Sequence, residues 1–348
     1  MEQRKRNTAE IRKDLIKSIY HGSGRICVSD VAERYAISEA AVYKQISNLV
    51  KKNVITAEKV GKEKRYGLTD SETLDFEYNI ASLNEDAVLR RDISPILDGA
   101  SATVRSVFSY VFTEMLNNAI DHSGSEAVKV HAYRNAYAIG CFITDAGVGI
   151  FTKIQQAMQL EEKRFAVLEL AKGKFTTDPN SHTGEGVFFS SKVSDRFYIF
   201  SEELAFIGDN CTDDANPALM EQLGSAQQQG TRVCFEIALD RVISYADIAS
   251  KYTEAPEDYG FSKTIVPVRL LEYREVNPIF VSRSQAKRLL ARFERFRNIV
   301  LDFTDVEEIG QGFADEVFRV FISQHPGTDI TYINASPAVE IMIRRTKS

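Results

Sequence analysis

The sequence predicts a multidomain α+β protein of three consecutive modules, and three observations carry that expectation. The chain has 348 residues, 44% hydrophobic and 26% charged, which is long and apolar enough for two or three buried cores. Its charge is divided: residues 1–70 hold 15 Lys and Arg against 9 Asp and Glu, whereas the rest holds 28 against 40. Its hydrophobic period also changes along the chain. Helical spacing followed by two short strand-like runs gives way to a long helix with strands and glycine-rich turns, and then to a second alternation of strands and helices. The modules fall at 1–70, 71–250 and 262–348, with an acidic stretch containing Pro256 before the last.

Composition excludes several classes. The longest apolar runs, such as Tyr137 to Thr144, are too short to span a bilayer, and the charged start is followed by no signal-like apolar segment. A cytoplasmic protein with no membrane contact is expected. Cys27, Cys141, Cys211 and Cys234 are scattered without CxxC or Cys/His spacing, so buried free thiols are expected rather than disulfides or zinc sites.

In the first module, Ile11, Leu15 and Ile19 form one helical stripe, and His21-Gly22-Ser23-Gly24 ends it. Ser29 is placed to cap a short helix carrying Val31, Ala32 and Tyr35. Ala36-Ile37 make a turn, and Ser38 is placed to cap a helix from Glu39 to about Lys51. With Val42, Ile46, Leu49 and Val50 inward, Ala40, Tyr43, Lys44 and Ser47 face outward, as on a helix that enters a major groove. Two strand-like runs, Val54 to Val60 and Gly61 to Leu68, follow. The module resembles a bacterial winged helix-turn-helix. Its wing would carry Lys62, Lys64 and Arg65 near the phosphates of double-stranded DNA. The alternative is a winged helix used for protein contacts, and the basic balance favours DNA.

In the second module, Val104, Val107, Phe108, Val111 and Met115 mark an amphipathic helix, yet Glu114 and Asn118 continue its buried stripe. A carboxylate and an amide there need partners, because each costs on the order of 1–3 kcal/mol if left dry and unpaired. Strands from Val128 to Tyr133 and from Tyr137 follow, the second ending in Asp145-Ala146-Gly147-Val148-Gly149. Thr183-Gly184-Glu185-Gly186-Val187 then opens a helix through Val193, and Gly230-Thr231-Arg232 begins a last strand. Strand patterns at Arg196 to Ser201 and Leu204 to Ile207 precede a polar loop, Gly208 to Gly230, with a short helix around Pro217 to Leu223.

This ordered set resembles the N, G1, G2 and G3 boxes of the GHKL (histidine-kinase-like, Bergerat) ATPases. The resemblance implies an α/β sandwich, with helices on one face of a mixed sheet, that binds ATP and Mg²⁺. It implies that Asn118 coordinates Mg²⁺, that Asp145 accepts from the adenine amino group, and that Thr231 supports the adenine pocket. Gly147 and Gly149 would admit close backbone approach, Gly184 and Gly186 would present amides to the phosphates, and Glu114 would position a water or hydroxyl. The segment Phe151 to His182 corresponds to an ATP lid holding Lys172, Lys174, Thr176 and Thr177, with Lys174 within reach of a γ-phosphate. His122, after the N box, would pack against the site. Ser71 to Thr113 contains no histidine, so a histidine autokinase is not expected.

In the third module, Thr264 to Tyr273 alternates like a strand, Ser282 is placed to cap an Arg-rich helix to Phe296, and Asn298 to Phe303 reads as a buried strand. Gly310 to Ser323 then reads as a helix, Asp329 to Asn334 as a strand and Pro337 to Arg345 as a last helix. The run Leu301 to Glu316 resembles a STAS-like domain. Where such domains accept phosphate on serine, this chain has Gln311 and Gly312, so phosphorylation there is not expected, and Thr304 reads as a strand-end residue. The expectation is a nucleotide-responsive DNA-binding regulator, a homodimer, with a protein partner for the STAS-like module. The alternatives are a serine/threonine protein kinase resembling anti-sigma factors and an ATPase with an adaptor winged helix.

Overall fold

The computed structural model describes residues 2–22, 24–174, 184–210, 218–221, 228–253, 261–272 and 279–347. Helices Glu2–His21, Val28–Arg34 and Glu39–Lys51 precede an antiparallel hairpin of β1 (Ile55–Val60) and β2 (Glu63–Leu68). Ile11, Leu15 and Ile19 meet Val42, Ile46, Leu49 and Ile55 in a core of their own. Ala36 makes the turn at a φ of 50°, and the Ser38 hydroxyl accepts from the Ala41 amide at 3.3 Å. Two expectations are corrected. The Val28–Arg34 helix starts after Cys27, so Ser29 lies inside its first turn instead of capping it. Val50 is 38% exposed, because the three residues ahead of it on the stripe already fill the core.

The central sheet contains β3 (Glu72–Asn79), β4 (Ala127–Arg134), β5 (Ala138–Asp145), β6 (Arg196–Glu202), β7 (Leu204–Asp209), β8 (Ala218–Glu221) and β9 (Gln228–Ala238). Their order is β3-β4-β5-β9-β6-β7-β8, and every pairing is antiparallel. The expected mixed sheet is therefore corrected: β4–β5 and β6–β7 are joined by reversing turns, and β9 enters between β5 and β6 opposed to both. One face, with Val130, Ile139, Cys141, Ile143, Ile199 and Phe235, packs on Val104, Phe108, Val111 and Met115 of helix Ala102–His122 and on helix Gly186–Val193. The other face carries His131, Phe142, Cys234 and Tyr198 in one cross-strand row.

β3 has no counterpart in the sequence expectations, although Leu74, Phe76 and Tyr78 alternate there with Asp75 and Glu77. β8 replaces part of the short helix expected around Pro217 to Leu223; Pro217 and Leu223 themselves lie outside the described residues. The physical reason is the open edge of β7, whose backbone donors and acceptors Ala218–Glu221 satisfies.

The last sheet is parallel, in the order β10 (Lys263–Pro267), β11 (Asn298–Asp302), β12 (Asp329–Ile333). Ser282 closes a capping box with Gln285 at the start of helix Arg283–Leu290. That helix stops at Leu290 rather than Phe296, because Arg292 turns left-handed at a φ of 66° and a 3₁₀ turn, Phe293–Arg295, follows. β10 stops at Pro267 rather than reaching Tyr273: Val268, Leu270 and Leu271 are all buried in a 3₁₀ turn, a pattern with no second, exposed face. The helix from Gln311 to Gln324 contains a π-turn at Glu316–Phe321, and helix Pro337–Lys347 closes the chain.

One hydrophobic core runs without a break from the central sheet into this last unit. The Phe188 ring lies tilted with its centre 4.6 Å from that of Phe261, which in turn meets Phe296 edge-on at 5.3 Å. The amino-terminal unit meets the body through a small cluster of Tyr20, Tyr137, Ala138 and Ala238, with Arg196 donating to the Tyr20 carbonyl. Among the described residues no helix is long and apolar enough to cross a membrane.

Candidate functional site

A cavity of about 310 Å³ opens where helix Ala102–His122 faces helices Ile150–Met158, Phe165–Lys172 and Gly186–Val193 and the inner side of β5, β6 and β9. That volume suits a small organic ligand. Of the residues singled out in the central module, Glu114, Asn118, Asp145, Gly149, Gly184, Gly186, Thr231 and His122 line it.

Helical spacing explains the first group. Glu114, Asn118 and His122 stand four residues apart and share one face of the long helix, while Val111, Phe112 and Leu116 anchor the rest of it in the core. Ser101 fixes the start of that helix by accepting from the Val104 amide at 3.2 Å. The Asn118 Nδ2 is enclosed and has no hydrogen-bond partner. An orphaned amide inside a cavity wall is a place where a ligand supplies the missing partner.

Asp145 ends β5 and is 7% exposed. Its Oδ1 accepts from the Gly147 amide at 2.9 Å and from the Thr231 amide at 3.3 Å. Burial raises its pKa, and these amides pull the other way. Gly147 is required by close approach, since a Cβ there would stand 1.9 Å from the Ser123 carbonyl. Thr231 serves Asp145 through its backbone; its hydroxyl accepts from the Ile150 amide at 3.0 Å and so pins the start of the next helix.

Gly186 opens helix Gly186–Val193 directly under Glu114. A Cβ there would stand 2.0 Å from Glu114 Oε2, so the bare backbone is what lets the carboxylate sit at that helix start. Lys153, which the sequence expectations pass over, also lines the cavity and donates to the His122 carbonyl at 2.7 Å; burial lowers its pKa. Its signal was a lysine one residue before the buried Ile154 on a short amphipathic helix.

Lys174 is placed elsewhere. Its Nζ donates to the Arg295 carbonyl at 3.0 Å and lies 4.9 Å from the Phe296 ring, on the carboxy-terminal unit. Burial lowers its pKa against the pull of Glu185. Thr176, Thr177, His182 and Thr183 lie outside the described residues.

In the amino-terminal unit, Ala40, Tyr43, Lys44 and Ser47 are exposed along helix Glu39–Lys51, and Lys62, Lys64 and Arg65 are exposed on the β1–β2 hairpin. Burial, and behind it the Tyr43 phenol, raises the pKa of Tyr66 on β2, which sets the outer face of the helix beside the hairpin. In the last unit, Gln311 and Gly312 begin a helix, and the Thr304 hydroxyl donates to Asp302 at 2.7 Å, closing the end of β11.

Comparison with known proteins bears on this last unit. No curated protein matches the chain. Residues 285–340 match the family model of a STAS-like domain of unknown function (DUF4325), a stretch that runs from within helix Arg283–Leu290 through β11 and β12 into the final helix. The carboxy-terminal part of the chain is therefore STAS-like.

Proposed function

We propose that the central cavity binds ATP with Mg²⁺ and that the protein is a nucleotide-responsive, DNA-binding regulator. The observation that carries this reading is the convergence of Glu114 and Asn118, from one face of the long helix, and Asp145, from the end of β5, on one cavity floored by glycine turns. The residues suit the group. Two amides hold one oxygen of Asp145, which leaves the other for an exocyclic amine such as that of adenine. The unpartnered Asn118 Nδ2 is a donor suited to a phosphate oxygen, and the Oδ1 of the same amide is the atom that would take a phosphate-bound cation. The start of helix Gly186–Val193 offers backbone amides to phosphate oxygens. Mg²⁺, when bound, neutralises phosphate charge. Glu114 accepts a hydrogen bond from a water or hydroxyl and orients it.

The amino-terminal unit supports the DNA half of the reading through its exposed Tyr43, Lys44, Lys62, Lys64 and Arg65. Regulation requires that nucleotide bind two conformations with unequal affinity. The STAS-like match favours one second reading, phosphoryl transfer to a serine or threonine of a partner protein.

The test is a calorimetric titration with ATP and Mg²⁺, together with turnover assays. Asn118→Ala is expected to weaken binding at least about tenfold, the loss of one charge-assisted contact. Glu114→Gln is expected to keep binding and lose turnover by about 10²-fold. A wild type that ignores ATP sinks the reading, and stable label on a partner's serine replaces it with the second. DNA binding whose affinity is the same with and without nucleotide removes the regulatory half.

A further inference from the structure

Helix Phe165–Lys172 has two occupied sides. Leu170 and the following Gly173 form part of the cavity wall. Lys172, 1% exposed, points the other way. It pairs with Glu169 at 2.6 Å and donates to the Ala291 and Arg288 carbonyls at 2.9 and 3.3 Å, the open end of helix Arg283–Leu290. Lysine is suited to that place, where the carbonyls of a helix end lack intrahelical donors. Arg292 returns the contact, with one nitrogen 3.4 Å from Glu169 and the other donating to the Lys174 carbonyl at 2.6 Å. Thr264 on β10 donates to the Lys172 carbonyl at 2.8 Å.

Buried charge-assisted bonds of this kind have fixed geometry, and Lys172 and Glu169 are both enclosed. The helix therefore cannot shift on its cavity side while its other side stays as it is. We propose that helix Phe165–Lys172 couples the cavity to the STAS-like unit: occupancy is transmitted through Lys172, Glu169 and Arg292 to the segment 283–297. The proposal rests on the nucleotide reading for its probe. By thermodynamic linkage, whatever fixes 283–297 also changes affinity at the cavity.

The experiment uses the full chain. Amide hydrogen exchange across 283–297 is followed with and without a non-hydrolysable ATP analogue and Mg²⁺, and calorimetry on the same sample reports binding. Exchange there is expected to slow at least about fivefold on saturation, the lower end of ordinary coupling. Arg292→Met and the near-isosteric Thr264→Val are expected to reduce that protection and to shift the analogue's affinity. Thr264→Val keeps the test sound if Arg292→Met does not fold. Binding with unchanged exchange at 283–297 overturns the coupling and leaves the nucleotide reading intact, whereas no binding overturns both. Full protection retained in both variants overturns the route through this helix.

Discussion

The two ends of the chain are attached to the central sheet in opposite ways. The amino-terminal unit keeps a separate core and meets the sheet through Tyr20 and Tyr137, whose rings lie 4.5 Å apart, with Arg196 3.9 Å above Tyr20 and His21 bonded to the Tyr137 hydroxyl at 3.1 Å. Its ion pair to the body, Lys13–Asp240 at 3.4 Å, has a lysine side chain 68% exposed. The STAS-like unit shares the main core and encloses the Lys172–Glu169 pair of the central unit, taking its bonds through the Arg288 and Ala291 carbonyls and Arg292. A small cluster with one solvated ion pair adds little to the stability of the body, whereas shared apolar packing makes the other end part of it.

The largest expected effect follows from deletion. A chain of residues 71–348 is expected to keep one cooperative thermal transition by circular dichroism, while a chain ending at residue 250 loses the packing partners of Phe188 and Leu170 and no longer unfolds cooperatively. Equal behaviour of the two truncations breaks the comparison. Next, Lys172→Ala leaves the buried Glu169 with the Arg292 guanidinium and without Lys172, removes the donor to the Arg288 and Ala291 carbonyls, and is expected to lower stability by about 3 kcal/mol in urea titrations. Lys13→Ala is expected to stay within about 0.5 kcal/mol in the same measurement.

A pH series sharpens the contrast further. Lys192 lies on the side of the body that faces the STAS-like unit; burial lowers its pKa to about 8, opposed by Asp302. In the unfolded chain a lysine titrates near about 10.4. The folded state thus binds fewer protons between those values, and stability from this group rises with pH across that window. Lys192→Met is expected to raise the melting temperature at pH 7 and to flatten the rise from pH 8 to 10. The smallest effect belongs to the other end: Tyr137→Phe removes the His21 bond and is expected to cost about 1 kcal/mol or less in docking, with no change in the melting of the body.

What could be read from the sequence divides along the same physical lines. Periodicity and caps were enough where a short segment decides its own structure, as with Ser38 and Ser282 or the stripe Val104 to Met115. Glu114 and Asn118 were legible because polar groups stood where apolar ones were due, and Asp145 through the glycine-containing motif that it opens. Choices made by distant partners were not legible. Ala218–Glu221 is a strand because β7 had an open edge, and helix Arg283–Leu290 ends where Lys172, from another unit, takes up its carbonyls. Lys174 reads in sequence as a lid lysine within reach of a γ-phosphate, and only the fold shows the two aromatic rings beside it.

The place of β9 has a consequence in time. It is the last strand of the central sheet to be synthesised, yet it lies between β5 and β6, and the two halves of the sheet meet only through it. At ~5–20 residues per second, the ribosome takes roughly 5–20 s to pass from the end of β5 to the end of β9. During that interval β5 and β6 each present an unpaired edge. Thr231, which secures both Asp145 and the start of helix Ile150–Met158, arrives with β9. A nascent chain therefore has no complete cavity until its sheet closes.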